Sequence, residues 1–423
     1  MSEKLLPCSD ERLLELADHL PTPFHLYDEK AIRRNARAFK DAFAWVDGFK
    51  NYFAVKACPN PAILRMLREE GFGADCSSEP ELVLAAQAGI VGEGIMFTSN
   101  DTPDEEFATA CRYGAVVNLD DITHIDVLDK IAGMPELISF RYNPGPDRTG
   151  NAIIGNPVEA KYGVTTAQLV ECYRKAKALG AKRFALHTMV ASNELEGAYI
   201  VETARMLFTQ AVRIYRETGI RLEFVNMGGG IGIPYRLEQN AMDLHKVSQD
   251  IKALYESIIV AEGIAPLRIV FECGRVVTGP YGYVVSKVRH VTSKYKEYVG
   301  LDACMANLMR PALYGAYHHI TVVGKQSLPA DHVYDVTGSL CENNDKFAID
   351  RHLPKIERGD VVVLHDAGAH GHAMGFNYNS KLRSAEYLLH EDGSVSMIRR
   401  AETMDDLFAT VRFDGAPIVK VKA

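Results

Sequence analysis

The sequence predicts an α/β architecture in which a parallel (β/α)8 barrel is followed by a second, antiparallel β domain. Three observations carry this prediction. From about Thr22 to about Val285, short apolar runs alternate with amphipathic stretches of helix length; about eight such units occur, each run ending in a polar or glycine cluster. After about Tyr283 the texture changes to valine-rich, polar-alternating strands with few helical repeats. The 423 residues exceed one ordinary compact domain, and 47% hydrophobic with 24% charged content is globular. The expected domains are a barrel over 25–285 and a β domain built from 1–24 and 286–423.

In chain order, MSEKLLPCSDERLLELADHL is charged and amphipathic, unlike a secretory leader. PTPFHLYDEKAI can supply one strand to the β domain before the chain enters the barrel. NYFAVKA then pairs with the helical AILRMLREEGF, GADCSS with EPELVLAAQAG, and GIMFTSN with TPDEEFATACRYG. VVNLDD, LISFRYNPG, RFALHTMVAS, EFVNMGGGIGI and RIVFECGR continue the rhythm. A run such as Tyr52, Phe53, Ala54 and Val55 is apolar on both faces, as a buried parallel strand must be, and its carboxyl end opens on the active-site mouth of a barrel. GYVVSKVRHVTS, EYVGLDA, HHITVVGK, HVYDVTGSL, GDVVVLHDAG and SVSMIRR read as strands of the second domain.

The formal net charge of -8 and the lack of any dense Lys/Arg run argue against nucleic acid as a partner and leave small molecules. No apolar run approaches the roughly 18 residues of a membrane span. The cysteines (Cys8, Cys58, Cys76, Cys111, Cys172, Cys273, Cys304 and Cys341) are scattered without a Cys-x-x-Cys pair. That spacing suggests neither a zinc knuckle nor a disulfide scaffold and fits reduced thiols in the cytoplasm.

Lys56 ends the first barrel strand just before a Pro/Asn break. Two readings are open there: a desolvated lysine able to act as a neutral amine or to bond a carbonyl, and a lysine that merely snorkels out of the rim. In the strand-to-glycine segment around Gly228, Gly229 and Gly230, backbone amides can cradle a phosphate because no side chain blocks the approach; a plain glycine turn would look similar. The spacing does not match G-x-G-x-x-G, and Pro234 sits where the helix of a dinucleotide site would begin. Glu272 and Arg275 end another buried strand, where a carboxylate can hold a protonated ring nitrogen and an arginine can bind an anion. His187 and Ser192 lie at a strand end as well. In the second domain Arg310 stands near Tyr314, and Cys341 beside Glu342. His365, His370 and His372 fall in a glycine-rich loop without an accompanying Glu-bearing helix, so no metal site is expected.

In this order the segments FAVKA, GGGIGI, ECGR, RPALYGAY, CEN, LHDAGA and NYNS resemble fold-type III pyridoxal-phosphate decarboxylases, most closely the diaminopimelate decarboxylases, over nearly the whole chain. The resemblance implies an alanine racemase-like barrel with a C-terminal β domain, and pyridoxal 5'-phosphate as cofactor. Lys56 matches the lysine that binds the cofactor covalently. Glu272 is implied at the ring nitrogen, His187 at the ring face, and Gly228 to Gly230 at the phosphate, with Ser192, Gly274, Arg275 and His370 among the cofactor contacts. Arg275, Arg310 and Tyr314 match residues that hold the distal carboxylate of the substrate. Cys341 and Glu342 match a pair that enters the partner subunit's active site, the thiol as proton donor and the carboxylate as a clamp on the substrate amine, which implies a homodimer with shared sites.

Four positions depart from the family pattern. His187-Thr-Met-Val-Ala-Ser192 is longer than the usual His-Ile-Gly-Ser; Glu272-Cys-Gly-Arg275 replaces Glu-Pro-Gly-Arg; Cys341-Glu342-Asn343 replaces Cys-Glu-Ser; and Gly368-Ala-His370 replaces Gly-Ala-Tyr. The expected reaction is decarboxylation of meso-diaminopimelate to L-lysine, because two arginines left without a distal carboxylate in a desolvated pocket would be costly. A paralogue acting on another L- or D-diamino acid of the lysine or ornithine type is the alternative, ahead of a related racemase. A non-catalytic, cofactor-binding regulator would be expected to have lost Lys56 or Cys341, and both are present.

Overall fold

A computed structural model describes residues 3–150 and 155–413. After β1 (Phe24–Asp28), eight parallel strands close a barrel: β2 (Lys50–Ala54), β3 (Gly73–Cys76), β4 (Ile95–Thr98), β5 (Val116–Leu119), β6 (Leu137–Tyr142), β7 (Arg183–Thr188), β8 (Phe224–Asn226) and β9 (Arg268–Phe271). Between β9 and β2 the ladder is short, Lys50 opposite Val270 and Asn51 opposite Phe271. The Asn51 side chain extends it, donating to the Cys273 carbonyl at 3.0 Å and accepting from the Cys273 amide at 2.9 Å.

The period of two along each strand sorts the barrel interior into layers. Tyr52, Met96, Val116, Leu137, Ala185, Phe224 and Val270 pack together as an apolar floor. Two residues further along the respective chains come Ala54, Thr98, Asn118, Ser139, His187, Asn226 and Glu272, all buried. The upper layer is therefore mostly polar, although the strands read as apolar in sequence.

The second sheet has the order β14-β13-β11-β10-β1-β16-β17, with β15 pairing both β10 and β12. Its strands are β10 (Gly282–Ser293), β11 (Glu297–Leu301), β12 (Ile320–Val322), β13 (His332–Thr337), β14 (Lys346–Leu353), β15 (Val361–Leu364), β16 (Ala385–Leu389) and β17 (Val395–Arg399). The sheet is mixed where a wholly antiparallel one was expected: β1 runs parallel to β16, and β11 parallel to β13. These partners are distant in sequence and no tight hairpin joins them, so the antiparallel constraint of a short turn is absent. β1 and the start of β10 pair with each other, Phe24 opposite Val285, so the sheet takes residues on the barrel side of both expected limits, 25 and 285. The helix Asp10–His19, capped by Ser9, buries Leu13, Leu16 and Ala17 at helical spacing, and these pack with Phe24, Leu26, Tyr283 and Val285.

The two sheets meet behind the Lys56 turn. Glu386 on β16 accepts from Tyr27 at 2.6 Å and from Asn60 at 3.1 Å, and also from Arg399, which donates in turn to the Pro59 carbonyl at 2.7 Å. Burial would raise the Glu386 carboxyl, but His372 and Arg399 pull it down to about 2. Asn60 also caps the helix Pro61–Glu69, accepting from the Ala62 amide at 3.0 Å. One buried carboxylate thus ties the loop after Lys56 to the second sheet.

Candidate active site

The carboxyl ends of the barrel strands and the loops of the second sheet enclose a cavity of about 810 Å³. Lys56 enters it from a single 3-10 turn, Val55–Ala57, whose flanking residues are buried. Its side chain stays 55% exposed, and Nζ lies 3.9 Å from Asp75 Oδ2. The geometry is that of an amine presented to the cavity.

Within the barrel mouth the polar layer forms a chain of hydrogen bonds. Asn118 donates to Thr98 at 3.1 Å and to His187 Nδ1 at 3.0 Å, which leaves the Nε2–H of His187 to donate to Glu272 at 2.9 Å. The other Glu272 oxygen accepts from Asn226 at 2.7 Å. Burial alone would raise the Glu272 carboxyl; His187, Lys56 and Asn226 more than offset it and hold the group below its ordinary range. The result is a fixed negative charge in a buried position.

Of the three glycines expected together, Gly229 and Gly230 line the cavity. Gly228 lies behind them, its amide donated to Asn226 Oδ1 at 2.9 Å. A Cβ on Gly229 would come within 2.7 Å of the Glu272 carbonyl, and one on Gly230, at φ +99, within 2.4 Å of the Ala191 carbonyl. The loop can sit against its neighbours only without side chains. Ser192, Gly274, Arg275, Arg310, Tyr314 and His370 also line the cavity. Gly274 packs so close to the Lys56 turn that its Cβ would meet that of Ala57 at 2.7 Å. His370 has a left-handed backbone, φ 56, and donates its amide to Ala57 at 2.8 Å. Burial, reinforced by Arg275, Arg310 and Lys56, lowers the His370 imidazole to about 3 and keeps it neutral.

Arg275 donates to the Tyr235 hydroxyl at 2.6 Å, and the Arg310 guanidinium lies 4.4 Å from the centroid of the same ring. Arg310 also donates to His318 Nε2 at 2.9 Å; His318 can accept because its Nδ1–H goes to the His365 carbonyl at 2.8 Å. Among the described residues neither arginine has a carboxylate within ion-pair distance.

Cys341 is exposed and Glu342 half-buried, and neither lines the cavity of its own chain. The Cys341 amide donates to Asn379 at 2.6 Å, and Asp345 holds the same loop by accepting from the Met305 amide at 2.6 Å and the Leu340 amide at 2.8 Å. Sequence reading had passed over Asp75, Asn118, Asn226, Tyr235 and His318. The signal for the first three was a polar residue at the last inward position of an otherwise apolar strand.

A pyridine-ring cofactor with an aldehyde and a phosphate fits these residues. An amine projects into the cavity, a buried carboxylate is held ionised in the same cavity, and a loop that admits no Cβ lines it together with an arginine.

Residues 29–279 match the family model for the pyridoxal binding domain of pyridoxal-dependent decarboxylases. The chain is 45% identical to Protein TabA of Pseudomonas amygdali pv. tabaci, over 96% of this chain and 94% of that one. It is 35% identical to the diaminopimelate decarboxylase of Methanothermobacter thermautotrophicus, over 93% and 92% of the two chains. The crystal structure of diaminopimelate decarboxylase from M. jannaschii with L-lysine superposes with a TM-score of 0.88 at 29% identity, covering 94% of each chain. The expected barrel fold, cofactor and reaction class are borne out. This chain belongs to the pyridoxal-dependent decarboxylases of the diaminopimelate and ornithine type, carbon-carbon lyases that work with pyridoxal 5'-phosphate.

Proposed function

We propose that the protein decarboxylates meso-diaminopimelate to L-lysine in the cytoplasm, as a homodimer with shared active sites. The observation that carries the substrate is the pair Arg275 and Arg310, in one cavity, whose hydrogen bonds among the described residues go to neutral partners. A buried guanidinium without a counter-ion is costly, and a second carboxylate on the substrate would relieve that cost. The eight unpaired cysteines support a reducing compartment.

When bound, pyridoxal 5'-phosphate supplies a conjugated sink for the electron pair released as the carboxylate departs. Lys56 would hold the cofactor covalently. Glu272, fixed in its ionised form, would favour a protonated ring nitrogen, and His187, which bonds Glu272, would help hold the ring. Gly229, Gly230, Ser192 and Gly274 would serve the phosphate, with Gly228 bracing the loop from behind and Arg275 shared between phosphate and substrate. His370 stands where the family has a tyrosine and presents a neutral imidazole beside Arg275. Arg310 and Tyr314 orient the distal carboxylate.

Cys341, exposed, and Glu342, half-buried, both lie outside the cavity of their own chain, which supports their serving the site of another copy. There the partner's Cys341 delivers the proton to the former α-carbon, and the partner's Glu342 holds the distal amine. Lys56→Ala and Cys341→Ala proteins, each nearly inactive, should regain part of the parent activity when mixed and allowed to exchange subunits. Exchange without any recovery would mean that each site is built from one chain.

The substrate is tested by incubating the protein and its cofactor with meso-diaminopimelate and with L- and D-lysine and ornithine, measuring carbon dioxide and amine product. Turnover of diaminopimelate well above the others is expected. One observation favours a second reading, a paralogue specialised for another amino acid. The chain is closer to Protein TabA, at 45% identity, than to the diaminopimelate decarboxylase at 35%. Preference for a monocarboxylic diamino acid in the same assay would select that reading.

A further inference from the structure

Asp75 has no role in the reading above, yet it is the carboxylate nearest the reactive lysine. It lies on β3 opposite Ala54, two residues before Lys56, and lines the cavity while only 3% exposed. Its Oδ2 is 3.9 Å from Lys56 Nζ, and its Oδ1 has no hydrogen-bond partner among the described residues. Glu272 differs in kind, because both of its oxygens are engaged, by Asn226 and by His187. Of two carboxylates facing one buried space, the better-bonded one holds its charge more firmly and the other is the stronger base.

We propose that Asp75 is the proton-exchange partner of Lys56, accepting the proton that the lysine ammonium must lose before its nitrogen bonds to the cofactor's aldehyde carbon. The step balances within the site. Of the three hydrogens on the ammonium nitrogen, two leave with the aldehyde oxygen as water and the third moves to Asp75 as the nitrogen–carbon double bond forms. When substrate amine displaces the lysine, Asp75 returns that proton to Nζ.

The surroundings of both groups agree with this role. Burial first, then the charge of Glu272 from the end of β9, raise the Asp75 carboxyl well above its ordinary range. Glu81, on the helix after β3, adds to the rise, while Lys56 and Arg141, the latter on β6, oppose it. Lys56 in turn faces Asp75, Glu81 and Glu272, with the neutral His370 adjoining its turn through the bond to Ala57. Two carboxyls pushed in opposite directions divide the labour: Glu272 stays a fixed anion, and Asp75 takes up a proton more readily than an ordinary carboxylate.

The test follows cofactor capture rather than turnover. Full-length protein freed of cofactor is mixed with pyridoxal 5'-phosphate; the visible band is timed, and borohydride trapping with peptide mass analysis locates the attachment on Lys56. At about pH 7, Asp75→Asn should capture the cofactor on the order of 100-fold more slowly than the parent, as for a lost general base. The deficit should shrink as the pH approaches about 10, where a lysine deprotonates unaided. Asp75→Glu should recover part of the rate at about pH 7. Pyridoxine 5'-phosphate, which has no aldehyde, should bind the parent and the Asn variant alike. Parent-like capture by the Asn variant, a deficit of the same size at every pH, or a matching loss of pyridoxine 5'-phosphate binding would each overturn the proposal.

Discussion

Lys56→Ala is expected to lose the covalent cofactor and nearly all turnover while keeping its fold. The side chain is 55% exposed on a turn whose packing is carried by Val55 and Ala57, both buried. Removing it deletes little packing, so the change in stability should stay within about 0.5 kcal/mol, as at other surface positions. The loop itself is held from behind by Asn60, Pro59, Glu386 and Arg399, none of which touches the ε-amine. Denaturant titration should therefore give the parent midpoint, while the purified variant shows no visible absorption and borohydride fixes no pyridoxyl group. Decarboxylation at a rate near the parent's would dismiss Lys56 as the covalent lysine.

Arg310→Met has the second large expected effect, and it falls on selectivity. The Arg310 side chain is only 4% exposed, donates to a neutral histidine and stacks on the Tyr235 ring. Burial lowers its pKa, and no carboxylate within ion-pair distance among the described residues offsets this. A charge-assisted contact to a buried carboxylate contributes on the order of 2 to 4 kcal/mol, and lysine as substrate never makes it. Relative kcat/KM for meso-diaminopimelate over lysine should fall by roughly 30-fold to nearly 1000-fold, with little change for monocarboxylic substrates. Methionine keeps the unbranched aliphatic stem and adapts to irregular space, so part of the packing is preserved without the charge. Arg275 is a poorer probe, because a phosphate contact would mix cofactor loss with the substrate effect. Should the parent ignore diaminopimelate altogether, the substrate assignment falls and the decarboxylase chemistry stands.

By itself the sequence determined the barrel, the reactive lysine and the class of chemistry. All three are local statements. Strand-then-helix alternation reports on burial residue by residue, and Lys56 after Tyr52–Val55, or three glycines after Phe224–Asn226, are readable because strand end and functional group are adjacent in the chain. The ordered motifs add what the family requires of those positions.

Only the tertiary structure decided which polar groups meet. His187, Asn226, Asn118 and Glu272 come from four strands, and their hydrogen-bonded chain exists because barrel closure sets the last inward positions of β5, β7, β8 and β9 side by side. The same closure puts Asp75 beside Lys56 with one oxygen unpartnered among the described residues, a relation between neighbouring strands that periodicity along either one does not contain. It also engaged the Gly228 amide internally and left Cys341 outside its own cavity. In the second sheet, β1 and β16 lie parallel although more than three hundred residues separate them. Sequence patterns record how each segment meets water, whereas pairing between distant segments is selected by the collective packing of the whole chain, and that is where the site's electrostatics arise.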